Sequence, residues 1–426
     1  MVDKQYTLIT CLGTGQYDED GDCISYKETT YGFKNNKQIK DKILLNAIIN
    51  SDCWDIKKMV IIGTVTSAWD ALIPEELKGS DLWASLYESC TNKKNQDRKG
   101  ATRDLLQSLQ SILIEHYKID VELIAHTFEI DENTIENLSW IYYSIYSKVL
   151  PKTKILIDLT HGFRSMAILL FQAIQLHAKE LCNNPVEIIY GELKREGVSP
   201  IRDLSSYWKI SQINRQLYNF NSNLDGEELA DTLEEYWPEG AQWVKHFSYI
   251  IKCDYLMQID KLHNKLSVYL NTFNENDKPS WVIDLKKSLE TFYKRLDKKY
   301  VYEKYYEFAD FLNEKKLTVQ AVIALTCALQ TRVISDCFKS KSRDELDKLI
   351  GDYAIWESIG FRNLQVLIDD DYNLKTSIND LRGLRNKIAH AAGEQWNAMP
   401  KIEDLKFDNY KKAVKEVFRR YDATNK

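Results

Sequence analysis

The run Lys154-Ile155-Leu156-Ile157-Asp158-Leu159-Thr160-His161-Gly162-Phe163-Arg164-Ser165 decides the fold. Its first half is short and almost continuously apolar, the pattern of a strand buried on both faces. Its second half breaks on polar residues and Gly162, then opens an amphipathic helical pattern over 163–182. Strand, tight loop and helix in that order are the repeating unit of a parallel sheet covered by helices.

The same unit recurs on both sides. Apolar strand patterns fall at 6–12, 58–65, 121–128 and 186–190, and helical patterns at about 37–50, 67–90, 102–117 and 132–149. The alternation stops after Gly191, with 200–203 as its boundary and no strand expected beyond residue 200. Amphipathic patterns then predict helices over 205–223, 226–237, 242–273, 281–297, 302–312, 317–339, 343–349, 377–392 and 409–421. The expected fold class is α/β plus all-α: a Rossmann-like, mostly parallel sheet followed by helices. The expected division is 1–205 as the strand-bearing domain, 206–299 as a helical connector or extension, and 300–426 as an all-helical domain.

Composition narrows the function. At 426 residues the chain has room for two or three cores, and 44% apolar with 12% aromatic residues indicates a globular protein. Sixteen Gly and seven Pro leave few long irregular loops. A formal charge of −6 and a pI near 5.8 exclude a broadly basic nucleic-acid wrapper, while a local site for a short RNA or a nucleotide stays open. The eight Cys, at 11, 23, 53, 90, 182, 253, 327 and 337, include no C-x-x-C pair, so free thiols in a reducing cytoplasm are expected rather than disulfides or zinc. No His spacing suits a metal, so neither metal nor cofactor is expected. No signal peptide and no apolar run of membrane-spanning length is read, which predicts a soluble, cytoplasmic chain with no membrane partner.

In parallel sheets, ligands bind at the carboxyl ends of the strands. Here those ends carry Gly13-Thr14-Gly15, Gly63-Thr64-Val65-Thr66-Ser67 and Thr160-His161-Gly162-Phe163-Arg164-Ser165. Glycines permit close backbone approach and hydroxyls supply donors. A helix starting near Phe163 offers free N–H groups to an anion, and Arg164 adds a fixed charge suited to phosphate. A phosphate-bearing ligand across these loops is expected. A dinucleotide fingerprint is not supported, because the third Gly of G-x-G-x-x-G is missing and a polar, hairpin-like segment over 17–30 follows in place of a helix. Two roles stay open for Asp158, ligand group or turn cap, and two for His161, ligand contact or loop support, with contact preferred. The charged run over 93–100 reads as a solvated loop.

A second motif lies near the C-terminus: Arg385-Asn386-Lys387-Ile388-Ala389-His390. A fixed cation, an amide and a titratable imidazole are the groups needed to cut a phosphodiester without a metal. On a helix Asn386 and His390 share a face, whereas Arg385 stands about 140° from His390, so one helix does not aim all three at one point. Two copies related by a twofold axis meet that need in a shared cleft. RNA suits this chemistry better than DNA because its 2′-hydroxyl can attack the adjacent phosphorus, with His moving the proton and Arg stabilising phosphoryl charge. The expected products carry a 2′,3′-cyclic phosphate or 3′-phosphate and a 5′-hydroxyl.

Together the two motifs resemble the CARF–HEPN ribonucleases of type III CRISPR systems. The likeness is carried by Gly13-Thr14-Gly15, Gly63-Thr64, the D-x-T-H-G-F-R run from Asp158 to Arg164, and the R-x4-H of Arg385 and His390. It implies a homodimer whose paired CARF domains bind a cyclic oligoadenylate, cyclic tetra-adenylate before cyclic hexa-adenylate, and whose HEPN domains then cleave single-stranded RNA. Carried onto this chain, it implies ligand contacts from Gly13, Thr14, Gly15, Thr64, Ser67, Thr160, His161, Gly162 and Arg164. The implied catalytic set is Arg385, Asn386 and His390. Two other functions remain compatible with the sequence: a non-catalytic nucleotide sensor or regulator, and a sensor that degrades its own ligand.

Overall fold

The computed structural model describes residues 5–14, 16–17, 23–26, 28–91, 99–126, 140, 143–144, 148, 153–162, 164–176, 186–194, 196–350, 352–390 and 406–424. The chain divides into two compact units, Met1–Gln212 and Ile213–Lys426, and the division falls inside the helix Ser205–Asn223.

Strands of the first unit are β1 (Gln5–Leu12), β2 (Gln16–Tyr17), β3 (Cys23–Ser25), β4 (Thr29–Gly32), β5 (Gln38–Asp41), β6 (Asp55–Thr64), β7 (Asp120–His126), β8 (Lys154–Asp158), β9 (Val186–Gly191) and β10 (Val198–Asp203). Eight form one sheet in the order β5-β4-β10-β9-β8-β1-β6-β7, and β2 pairs with β3 apart from it. From β9 to β7 every pairing is parallel. Along β6, Met59 and Ile61 enter the core on one face and Val60 and Ile62 the core on the other, all four without solvent exposure. The first face is covered by Leu44, Leu45 and Ile48 of the helix Leu44–Ile49 and by Leu109 and Leu113 of Arg103–Tyr117. The second is covered by Leu169, Leu170, Ala173 and Ile174 of Arg164–Leu176. Each such Val, Leu, Ile or Met side chain stabilises the fold by about 1.5–3 kcal/mol when buried, which is why the central stretch of β6 is continuously apolar from Met59 to Ile62.

Several expected elements differ in detail. The helix expected over 37–50 is confined to Leu44–Ile49, because Gln38–Asp41 pairs as β5 with β4 across a turn in which Asn36 takes φ 61°. The pattern at 67–90 breaks at Pro74 and Gly79 into short 3-10 turns, the helix Asp81–Leu86 and a π-turn, Tyr87–Thr91. The pattern at 132–149 lies mostly outside the described residues. β10 runs through the expected boundary. Its residues Val198, Ser199 and Pro200 pair with β4 and Ile201, Arg202 and Asp203 with β9, so Pro200 falls where the strand changes partner.

Among its described residues the second unit is helical, with Glu227–Leu233, Pro238–Lys252, Ile259–Thr272, Ser280–Leu296, Val301–Glu314, Thr318–Cys337, Arg343–Ile350, Phe361–Leu367, Tyr372–His390 and Phe407–Thr424 as its main elements. Its core is one cluster reaching from Phe220 to Tyr421, so helices before and after residue 300 share it. Trp243 stacks on Phe247 at 4.8 Å, and Phe292 meets Phe247 edge-on at 5.3 Å. The single helix expected over 242–273 is two, interrupted where Asp254 adopts φ 56°. Thr318–Cys337 is long and apolar enough to cross a membrane, against the expectation of no such run. Its apolarity has another cause: Ala321, Val322, Leu325, Ala328, Leu329 and Val333 fill the centre of the helical core.

Candidate functional site

Register sets the strand ends side by side. β1 pairs with β6 through Leu12 and Gly63 and with β8 through Thr10 and Asp158, so the loops leaving all three start at one edge. Gly13 and Gly162 meet there. A Cβ at Gly13 would lie 3.3 Å from the Gly162 Cα, and one at Gly162 would lie 2.8 Å from the Cys11 Cβ. Gly162 also holds φ +148°, which disfavours any other residue.

The polar groups sort into scaffold and rim. Ser67 has no exposure; its Oγ donates to the Leu12 carbonyl at 2.8 Å and accepts the Thr64 N–H at 2.9 Å. A hydroxyl has one proton, so Ser67 brackets the loop with its donor already committed. Asp158 is likewise buried and accepts the Thr10 hydroxyl at 2.8 Å and the Thr160 N–H at 2.9 Å, which makes it the cap of the turn. Thr160 Oγ1 accepts the Gly191 N–H at 2.7 Å and ties the loop to β9. Thr64 places Oγ1 3.2 Å from that of Thr66. Thr14 is half-buried beside Gly13.

His161 is buried, and its Nε2 accepts the Leu44 N–H at 3.0 Å. Burial pulls its pKa below the ordinary value against the opposing pull of Asp158 and Asp41. The imidazole is therefore a neutral loop support and helix cap, the second of the two roles open in the sequence. Gly15 and Phe163 lie outside the described residues, as does the side chain of Arg164, whose backbone opens the helix Arg164–Leu176. That helix begins at the same edge, so its first-turn N–H groups belong to the cleft.

In the helical unit, Tyr372–His390 carries the second motif. Arg385 Nη1 donates to Asn386 Oδ1 at 3.3 Å, and both line a recess with Thr326, Gln330, Trp356 and Arg382. Burial pushes the Cys327 thiol up to about 12 although the Arg385 guanidinium acts the other way, which keeps that thiol protonated beside the cation. Arg382 is not a spare cation. It grips Glu357 through two contacts and lies 4.1 Å over the Phe361 ring. His390 closes the helix, and its side chain lies outside the described residues.

Residues 8–192 match the family described as CRISPR system endoribonuclease Csx1, CARF domain. That match lies within the first unit and covers less than half of the chain, so the strand-bearing region is similar to a CARF domain. A CRISPR-associated protein of Methanocaldococcus jannaschii is 22% identical over 427 residues, which cover 93% of this chain. The chain spans 64% of the length of that relative. The structure of Enterococcus italicus Csm6 bound to cyclic hexa-2′-fluoro-hexa-dAMP is similar at 10% identity and a TM-score of 0.37, over 99% of this chain and 95% of that one.

Sequence reasoning missed one residue of the strand-end cleft. The Tyr26 hydroxyl accepts the Gly13 N–H at 2.9 Å, and its ring meets His161 edge-on at 4.8 Å. The signal was available: a hairpin that follows a strand-end Gly-x-Gly directly has to fold back over that strand end.

Proposed function

We propose that this protein is a cyclic-oligoadenylate-activated, metal-independent endoribonuclease that cleaves single-stranded RNA in the cytoplasm as part of CRISPR antiviral defence. The observation that carries this reading is the Arg385–Asn386 pair near the end of Tyr372–His390, in a chain whose other unit is a CARF domain. A CARF homodimer would offer a symmetric ring two copies of one cleft. In each copy Gly13, Thr14, Gly15, Thr64, Thr160, Gly162 and Arg164 form the contact layer, and Ser67 and His161 hold that layer in shape. Cyclic tetra-adenylate is the favoured ring and cyclic hexa-adenylate the alternative.

In the helical unit, which we assign as HEPN over 300–426 with 206–299 as its extension, the attacking group is the RNA's own 2′-hydroxyl. It bonds to the adjacent phosphorus while the bond to the 5′-oxygen breaks. His390 moves the proton between the two oxygens, Arg385 stabilises the charge gathering on the phosphoryl oxygens, and Asn386 orients the phosphate. The products are a 2′,3′-cyclic phosphate and a 5′-hydroxyl. Arg382 takes no part, being held by Glu357.

The test is labelled single-stranded RNA incubated with the protein and synthetic rings of each size. Cleavage should appear with one ring size and vanish in His390→Ala. No stimulation by any ring, or full cleavage by that variant, would sink the proposal.

A further inference from the structure

The helical unit carries an aromatic and basic groove that the proposed chemistry does not use. Pro238–Lys252 contributes His246, Tyr249 and Ile250, Ile259–Thr272 contributes Lys261, Leu262 and Lys265, and Tyr255 and Gln258 come from the turn between. Spacings of three and four residues put His246, Tyr249 and Ile250 on one face of the first helix, and Lys261 and Leu262 one turn before Lys265 on the second. The groove is open to solvent and is floored by Ile250 and Leu262, which are buried.

Above that floor, Tyr249 and Tyr255 are 54% and 59% exposed. Their rings are nearly parallel, 17° apart with centroids at 6.3 Å. Two large apolar rings are thus offered to solvent face by face. The charges beside them have one sign. Among the described residues, Lys261 and Lys265 enter no ion pair, whereas Lys252 on the neighbouring helix is held by Asp225 and Glu227. The nearest carboxylates in sequence are engaged elsewhere, Asp260 with Lys304 and Asp254 with Gln320. In a chain of net charge −6, a local pair of unneutralised cations beside stacked phenols is a complement to an anion with flat faces.

We infer that this groove holds single-stranded RNA, with Tyr249 and Tyr255 stacking on bases and Lys261 and Lys265 meeting the phosphates between them. Stacking on aromatic rings tolerates any base, because every base has a π-face, and the lysines add the salt-sensitive part of the affinity. The inference rests on the ribonuclease reading and adds to it a place where the strand is gripped, built from residues distinct from those around Arg385.

A fluorescein-labelled single-stranded oligouridine, titrated by anisotropy into the full chain carrying His390→Ala, tests it without cleavage. Replacing both tyrosines (Tyr249→Ala with Tyr255→Ala) should weaken binding by roughly tenfold or more, and the pair of Phe replacements should keep it. Lys261→Gln with Lys265→Gln should weaken binding and flatten the slope of log affinity against log salt by about 1.4. Unchanged affinity in the alanine pair overturns the groove. Should that pair instead change the mass seen by light scattering with RNA affinity intact, the surface is a contact between protein copies, and the inference again falls. Cleavage assays on the same replacements in an otherwise native chain separate the two readings. Normal cleavage with no loss of binding removes the groove alone, while binding through the tyrosines without any cleavage removes the ribonuclease reading alone.

Discussion

His161 caps a helix that follows it in space and precedes it in sequence: its Nε2 accepts the Leu44 N–H at 3.0 Å. The helix Leu44–Ile49 has no side-chain cap of its own at Ile43, so this buried N–H would otherwise be left without a partner. An imidazole that accepts on Nε2 cannot be protonated there, and burial already lowers its pKa. The folded state therefore holds this His neutral in a pH range where the unfolded chain binds a proton. Its contribution to stability is complete above the unfolded value of 6.5 and is lost as pH falls through the lower folded value.

Acid should accordingly weaken the strand-bearing unit through this residue. Denaturant unfolding of the wild type is expected to lose stability progressively below pH 6.5. His161→Gln keeps an acceptor without a titration and should show a shallower acid slope, while His161→Ala should lose about 1–3 kcal/mol at neutral pH by orphaning the Leu44 N–H. Parallel acid slopes for wild type and His161→Gln would show that the coupling is absent.

Gly162→Ala should be among the most damaging single substitutions in the cleft. The new methyl meets Cys11 Cβ at 2.8 Å, and the backbone sits at φ +148°. A loss of about 1–3 kcal/mol is expected, together with loss of oligoadenylate binding by calorimetry. Gly383→Ala is the contrast. It lies within Tyr372–His390 with nothing within 4 Å of its added methyl, so it should stabilise that helix by about 0.5–1 kcal/mol.

The parallel sheet was readable because its central strands are buried on both faces and hence carry short continuous apolar runs, as in Met59-Val60-Ile61-Ile62. β4, β5 and β10 were missed for the converse reason. Gln38-Ile39-Lys40-Asp41 is half exposed, and β10 contains Pro200, Arg202 and Asp203 and changes partner midway. In the cleft, residue types pointed to the right loops but not to the depth of each side chain. Ser67 and His161 are polar, and sequence alone does not distinguish a hydroxyl that faces a ligand from one that spans Leu12 and Thr64 behind it. Tertiary pairing decides that, and it involves residues such as Leu44, which lies 117 positions away from His161.

Arg382 and Glu357 should behave as a coupled pair. The guanidinium reaches Glu357 through Nε at 3.2 Å and through Nη2, anchoring the motif helix to the π-turn Trp356–Gly360. Both side chains are about one-third exposed, at 34% and 27%, so solvent screening limits the interaction. A double-mutant cycle with Arg382→Ala and Glu357→Ala should return a coupling energy of about 1 kcal/mol that shrinks in high salt. Additive losses would mean that the Phe361 stacking, not the ion pair, holds Arg382.

Arg385 separates charge from geometry. Its Nη1 donates to Asn386 Oδ1 at 3.3 Å, so a planar fork is already oriented by the neighbouring amide before any phosphate arrives. Arg385→Lys keeps the charge but gives up the fork, and Arg385→Ala gives up both. If the guanidinium stabilises the transition state, single-turnover RNA cleavage should fall by about 10²–10³ in Arg385→Ala, and by a smaller but clear factor in Arg385→Lys. Calorimetric binding of the oligoadenylate should stay at the wild-type value in both, because no contact with the ring is assigned to this helix. Equal loss in the two variants would mean that the fork carries the whole effect. Cleavage intact in Arg385→Ala would remove the residue from the catalytic set and leave the recess it lines without a part in the chemistry.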